Sequence, residues 1–177
     1  KASGAMAAAA EEALGDRVAD GVVAVKDGHL APTRRVRLLE AGHPVPDRRG
    51  AEAARAIRDL ASTASADDLV LVLVSGGGSA LTPAPAPPIT LEEKQSLTRL
   101  LLRAGANINQ LNAVRKHCST LKGGQLARAA APARVQALLL SDVIGDALDV
   151  IACGPTAPDA STFAEAMGIL NRFEIRD

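Results

Sequence analysis

Aromatic side chains are almost missing: the 177 residues include no Trp, no Tyr and only two Phe, Phe163 and Phe173, both near the end. That scarcity removes the stacking platforms on which proteins lay single-stranded nucleic acid, and it leaves the core to Leu, Val, Ile and Ala. Charge of one sign is missing too. Twenty Lys and Arg balance twenty Asp and Glu, so no global field gathers nucleic acid or an anionic membrane surface. Cys118 and Cys153 are too few and too far apart for a zinc site or a disulfide framework. They read as two reduced thiols of a cytoplasmic protein. His29, His43 and His117 lack the i, i+4 spacing of a helical metal pair, and each is read first as a surface or loop residue. No apolar run approaches the ~18 residues of a membrane span, and the start does not resemble a signal peptide.

What is present has the composition of a folded domain. Hydrophobic residues make up 47% and charged residues 23%, enough for one domain with a sizeable core. Its organising stretch is Val70-Leu71-Val72-Leu73-Val74 followed by Ser75-Gly76-Gly77-Gly78-Ser79. Five consecutive aliphatics predict a strand covered on both faces, as inside a parallel sheet. The glycines permit positive φ and close approach to a ligand, and the N–H groups of such a turn, with the Ser75 and Ser79 hydroxyls, suit an anion. A tight turn of small residues is the plainer alternative. The loop is neither a Walker motif, which needs Lys and Ser/Thr after the last Gly, nor a dinucleotide fingerprint, because Leu81 stands where the third spaced Gly belongs. It specifies phosphate or carboxylate and no more.

Taken in order, the chain predicts a helix over 1–14 stopped by Gly15, a strand at Val22–Val25, and a second, edge-like strand over 35–40. Asp47 caps a helix running to about Ala61. After the glycine loop, 82–88 is a stiff, ordered proline segment. Thr90 and Glu93 form a capping box for a helix to about Ala104. Asn107 or Asn109 opens the next helix, read as Gln110 to Lys122 and broken by Gly123-Gly124. A short helix over 125–130, a buried strand over 135–140 and a last helix over 162–171 complete the chain. Strands alternating with helices predict an α/β fold with a largely parallel sheet.

Three segments are expected to meet at one sheet edge. The first is Ser75, Gly76, Gly77, Gly78 and Ser79. The second runs from Asn112 through Arg115 and Lys116 to Lys122, Gly123 and Gly124. On a continuous helix Asn112, Lys116 and Ser119 share a face, a cationic edge suited to phosphate oxygens or simply a solvated charged surface. The third carries Asp142 and Asp146 and then Cys153-Gly154-Pro155-Thr156. Asp142 leaves a strand directly, where sheet enzymes place functional carboxylates; such groups hold Mg²⁺ beside phosphates or accept a hydroxyl proton. Thr156 is a further candidate ligand hydroxyl. Asp149 and Asp159 read as turn or cap residues.

Together, Lys1-Ala-Ser-Gly-Ala-Met6, Ala41-Gly-His-Pro-Val-Pro-Asp47, Ser75-Gly-Gly-Gly-Ser-Ala-Leu81, Asn112-Ala-Val-Arg-Lys-His117 with Lys122-Gly-Gly124, and Leu140-Ser-Asp-Val-Ile-Gly-Asp146 with Cys153-Gly-Pro-Thr156 resemble the glycerate 2-kinase family whose members carry a C-terminal MOFRL domain. The resemblance spans nearly the whole chain, in order. It implies a Rossmann-like domain, a largely parallel sheet with helices on both faces, facing a second domain across the active cleft. It implies ATP-dependent phosphorylation of D-glycerate to 2-phosphoglycerate, with ATP and Mg²⁺ as cofactors. Lys1 matches the family's functional lysine. Asp142 is then the carboxylate closest to the chemistry, and Asp146 an outer metal contact. Ser75 to Ser79, Asn112, Arg115, Lys116, Lys122, Gly123, Gly124 and Thr156 bind substrate or phosphate. Cys153 departs from the family pattern, which has a serine there. A kinase of another small hydroxy acid and a non-catalytic binding module remain as alternatives, and a homo-oligomer is left open. The chain begins at Lys1 without Met and has no clear terminator after Asn171. One α/β domain over 1–177, truncated at both ends and lacking the MOFRL domain, is the expectation.

Overall fold

The computed structural model describes residues 2–175. Its elements, in chain order, are α1 (Ser3–Leu14), β1 (Gly21–Lys26), β2 (Val36–Ala41), α2 (Arg48–Ser62), β3 (Leu69–Ser75), α3 (Gly78–Leu81), α4 (Leu91–Arg103), α5 (Ile108–His117), α6 (Gln125–Ala129), β4 (Arg134–Leu140) and α7 (Phe163–Arg172). The fold is α/β, with parallel strands flanked by helices. Among the described residues the hydrogen bonds divide the strands into two parallel pairs, β1 with β2 and β3 with β4. α1 contacts both β1 and β3 and so spans the two pairs, while α2 packs on β1, β2, α3 and α6.

The helix starts follow from their caps. The Asp47 carboxylate accepts the Gly50 N–H at the start of α2. Thr90 with Glu93, and Asn107 with Gln110, each form a reciprocal capping box, and Thr162 accepts from the Glu165 N–H before α7. Each arrangement satisfies donors that the first turn would otherwise leave orphaned.

Two elements differ from the sequence reading. α5 ends at His117, so Ser119 and Lys122 are not on its face. The proline segment takes the chain away from the helix: Ala86 N–H donates to the Cys118 carbonyl, Thr120 N–H donates to Ala84 O, and Pro85 bridges Ser119. The buried Lys94 ammonium adds a 2.6 Å bond to the same Cys118 carbonyl. β4, in turn, is not covered on both faces. Its residues alternate exposed and half-buried, with Leu138 and Leu140 48% and 56% exposed. An apolar run reports hydrophobicity on both sides of a strand, whereas cover depends on what packs there. β3 is likewise half-buried along most of its length and fully buried only at Val74 and Ser75.

The core is aliphatic and built from small residues. Ala54, Ala61, Leu121, Leu126 and Ala130 pack beside Val70, Val72 and Val135. A second cluster joins α4, α5 and α7 through Leu101, Leu111, Val114 and Ile169. Among the described residues, no helix is long and apolar enough to cross a membrane.

Candidate active site

The parallel register of β3 and β4 places Ser75 opposite Leu140. The next residues of both strands therefore emerge side by side. Gly76 meets Asp142 so closely that a Cβ on Gly76 would lie 2.6 Å from the Asp142 carboxyl carbon. Gly77 takes φ +90°, the left-handed region, and a side chain there would also strike the His43 ring, with its Cβ 2.8 Å from Nε2. Only glycine meets both demands. Ala2, His43, Ser75, Gly76, Gly77, Leu140, Ser141 and Asp142 line a cleft of about 340 Å³. The Ala2 N–H donates to the Ser75 hydroxyl at 3.2 Å, tying the start of α1 to the end of β3. Lys1 lies outside the described residues, but its neighbour Ala2 is on the cleft wall.

The cleft is shaped by backbone and closed on one side by a single exposed carboxylate, Asp142. Ser141 fixes the turn beyond β4 by accepting the Val143 N–H and donating to the Val143 carbonyl. Asp142 is thereby presented from a strand end rather than from a free loop.

The other expected residues gather mostly behind this loop. The Lys122 side chain is 1% exposed, and its ammonium donates to the carbonyls of Ser79 at 3.0 Å and Thr82 at 3.1 Å. Burial, the largest influence, pulls its pKa down to about 8. The Ser79 hydroxyl meets Cys153 Sγ at 3.2 Å, and the thiol in turn donates to Asn112 Oδ1 at 3.2 Å. Gly78 backs onto Ala152. The N–H groups of Gly123 and Gly124 donate to the carbonyls of Cys153 and Gly154. Lys116, 7% exposed, is held by Asp149 at 3.2 Å and Asp159 at 3.3 Å, so these two carboxylates are ion-pair partners rather than only turn residues. Burial works to raise the Asp159 pKa, but hydrogen bonds from Ser161 and the Lys116 charge hold it below the ordinary carboxylate value. Arg115 is half-buried. Thr156 is half-buried and Asp146 is exposed at φ +50°; neither lines the cleft.

The three expected segments thus divide. The glycine loop and Asp142 form the cleft, and the 112–124 and 153–159 segments buttress the loop from below. His43 was missed because a histidine between loop residues carries no periodic signal. Lys94 left a faint one: it precedes Leu97 and Leu101 at i+3 and i+7, a cation on an apolar stripe. Burial is the main cause that brings its pKa down to about 7, with the Lys122 charge adding to it.

The chain matches, over residues 1–177, the family described as a domain of unknown function, DUF4147. It belongs to that family. Among similar proteins, the human "Glycerate kinase" is 51% identical across 97% of this chain and 35% of its own length. The crystal structure of glycerate kinase from Thermotoga maritima superposes with a TM-score of 0.97 at 47% identity, covering 100% of this chain and 43% of that one. A protein of Agrobacterium vitis named for hydroxypyruvate reductase is 46% identical over 99% of this chain and 40% of its own length. The DUF4147 chain therefore spans about two fifths of the length of these relatives. The resemblance to glycerate kinases read from its motifs is borne out by these relatives.

Proposed function

We propose that this DUF4147 chain is the N-terminal domain of a cytoplasmic, ATP-dependent glycerate 2-kinase that converts D-glycerate to 2-phosphoglycerate. In this reading a C-terminal MOFRL domain supplies the facing wall of the cleft. The observation that carries the proposal is the contact of Gly76 with Asp142 at the adjoining ends of two parallel strands. Phosphoryl transfer asks mainly for positioning and charge stabilisation. The glycine loop offers a wall without side chains against which phosphate or carboxylate oxygens can lie. Asp142 accepts the proton of the attacking hydroxyl or orients its oxygen. Lys1, next to the cleft-lining Ala2, stabilises the charge of the transferring group, and Arg115 strengthens the positive field behind it. Asn112, Lys116, Lys122, Gly123 and Gly124 act in this account by holding the loop.

Among the described residues no group of three or more His, Cys, Asp or Glu is arranged to hold a metal. Mg²⁺ bound chiefly by nucleotide phosphates and water needs only one or two protein carboxylates; Asp142 on the cleft wall would supply one, with Asp146, outside the cleft lining, as an outer contact. Bound there, Mg²⁺ would neutralise charge on the phosphate oxygens.

The reductase name of one relative points to hydride transfer from a dinucleotide. The loop argues against it, since Leu81 occupies the position of the third fingerprint glycine. The test is a glycerate-dependent assay of ADP formation on the complete polypeptide, with identification of the phosphorylated carbon. Phosphate on the 2-hydroxyl is expected. Turnover of another hydroxy acid in preference to glycerate would move the assignment to that substrate, and reductase activity without phosphoryl transfer would overturn it.

A further inference from the structure

A larger depression, of about 580 Å³, shares no lining residue with the cleft around Asp142. Its walls come from α2, α6, the 116–123 segment and the start of α7. Four cationic side chains line it, Arg58, Lys116, Lys122 and Arg128, against one carboxylate, Asp159. That carboxylate is already committed, accepting from Lys116 and from the Ser161 hydroxyl at 2.8 Å. The two lysines are committed as well, to Asp149 and Asp159 and to the Ser79 and Thr82 carbonyls. The two arginines are different. Both are exposed, and among the described residues neither guanidinium has a hydrogen-bond or ion-pair partner. An excess of positive charge over a concave surface, with its uncommitted part in planar five-donor forks, matches the oxygens of a phosphate.

The depression also carries one phenyl ring. Phe163 is 70% exposed yet packs against His117, with ring centroids 4.4 Å apart. It is one of only two aromatic side chains in the protein. A large exposed ring in the same depression as the unpaired arginines offers a flat surface for the organic part of a ligand whose anionic part the guanidiniums hold.

We propose that this depression binds a small phosphate ester, with the phosphate on Arg58 and Arg128 and a planar organic group against Phe163. The test titrates phenyl phosphate and inorganic phosphate by calorimetry into the complete polypeptide. Phenyl phosphate is chosen because it is neither substrate nor nucleotide of the proposed kinase. Both probes should bind wild type, phenyl phosphate more tightly, and both should weaken as salt rises. The double variant Arg58→Gln/Arg128→Gln should lose at least tenfold for both probes. Phe163→Ala should lose severalfold for phenyl phosphate alone, and Gly77→Val, which distorts the glycine-loop cleft, should leave both affinities unchanged. These arginines are exposed, so the double arginine variant should keep the wild-type circular dichroism, melting temperature and kinase turnover. The proposal is overturned if wild type binds neither probe, or if the double variant binds like wild type. It is equally overturned if Gly77→Val, rather than the arginine pair, abolishes binding, because the anion would then belong to the glycine-loop cleft. Equal affinities for the two probes in wild type would overturn the ring contact.

Discussion

Lys122 donates from its buried ammonium to the carbonyl oxygen of Ser79 at 3.0 Å, across 43 residues of sequence. The cation sits under the last turn of α3, where unpaired carbonyls favour positive charge. Cys153 holds the hydroxyl of the same serine. The glycine loop is therefore fixed from beneath through Ser79 and Thr82, while Gly76 and Gly77 face the cleft. A cleft made of backbone, if it is to position the proposed ligands, needs this kind of support, since positions must hold to within about half an ångström.

Buried lysines without carboxylate partners make stability depend on pH. The folded pKa values of Lys94 and Lys122 are lowered to about 7 and about 8 from the ordinary 10.5. Above the folded pKa the native state has released the proton that the unfolded chain keeps, so stability rises with pH through this window. Cys118 works the other way above about pH 9, because burial raises its pKa and the unfolded thiol ionises first. Between pH 7 and 8.5 the Lys94 gain should be about 1–2 kcal/mol, at about 1.4 kcal/mol per pH unit per proton. Urea unfolding of wild type and Lys94→Met at the two pH values measures it. The variant should show a markedly smaller rise; an identical rise would mean that Lys94 does not titrate in this range.

The residues that were readable from sequence are those whose role is local. Asp47 and Thr90 with Glu93 cap helices through bonds to N–H groups three residues on, so their spacing is visible in the chain itself. That the glycine loop and Asp142 follow strand ends was readable because each ends an apolar run. What escaped depends on distant partners. α5 stops at His117 because the 84–86 segment bonds to Cys118 and Thr120, and nothing between Asn112 and Lys122 announces that. Lys116 and Lys122 look like a solvated cationic edge, yet the fold buries both against partners 33 to 43 residues away.

The chain from Asn112 through Cys153 to Ser79 predicts a graded response at position 153. Cys153→Ser keeps a small donor and acceptor and should be nearly neutral. Cys153→Val leaves the buried Asn112 oxygen and the Ser79 hydroxyl without their partner, a loss of about 1–3 kcal/mol. Thermal and chemical unfolding of both variants checks this. A Val variant as stable as the Ser variant would show that the thiol is only filling space.

Replacing Gly77 with Val would force a β-branched residue to φ +90° and drive its Cβ into the His43 ring. ATP and glycerate affinity in the complete polypeptide should fall at least tenfold while the domain remains folded, because the strain is confined to the cleft wall. Calorimetric titration alongside circular dichroism separates the two effects. Unchanged affinity in a folded variant would remove the loop from the binding surface.

Asp142 and Asp146 are separated by three residues but stand in different situations. Asp142 follows a strand whose register is fixed against β3, and its carboxylate lies against Gly76 in the cleft wall. Asp146 is exposed, in the left-handed region at φ +50°, after a glycine that is itself at φ +82°. A group that takes a proton or aims an attacking oxygen must be held in place, whereas a carboxylate reaching a hydrated metal can be looser. Asp142→Asn keeps the shape and removes charge and basicity, so turnover should drop on the order of a hundredfold or more. Asp146→Asn should cost less, and raising Mg²⁺ should recover part of the loss. Side-by-side steady-state kinetics across a Mg²⁺ series decides between them. If Asp146→Asn proves the more damaging and added Mg²⁺ restores nothing, the two carboxylates have exchanged roles, and the strand-end position of Asp142 serves the fold rather than the reaction.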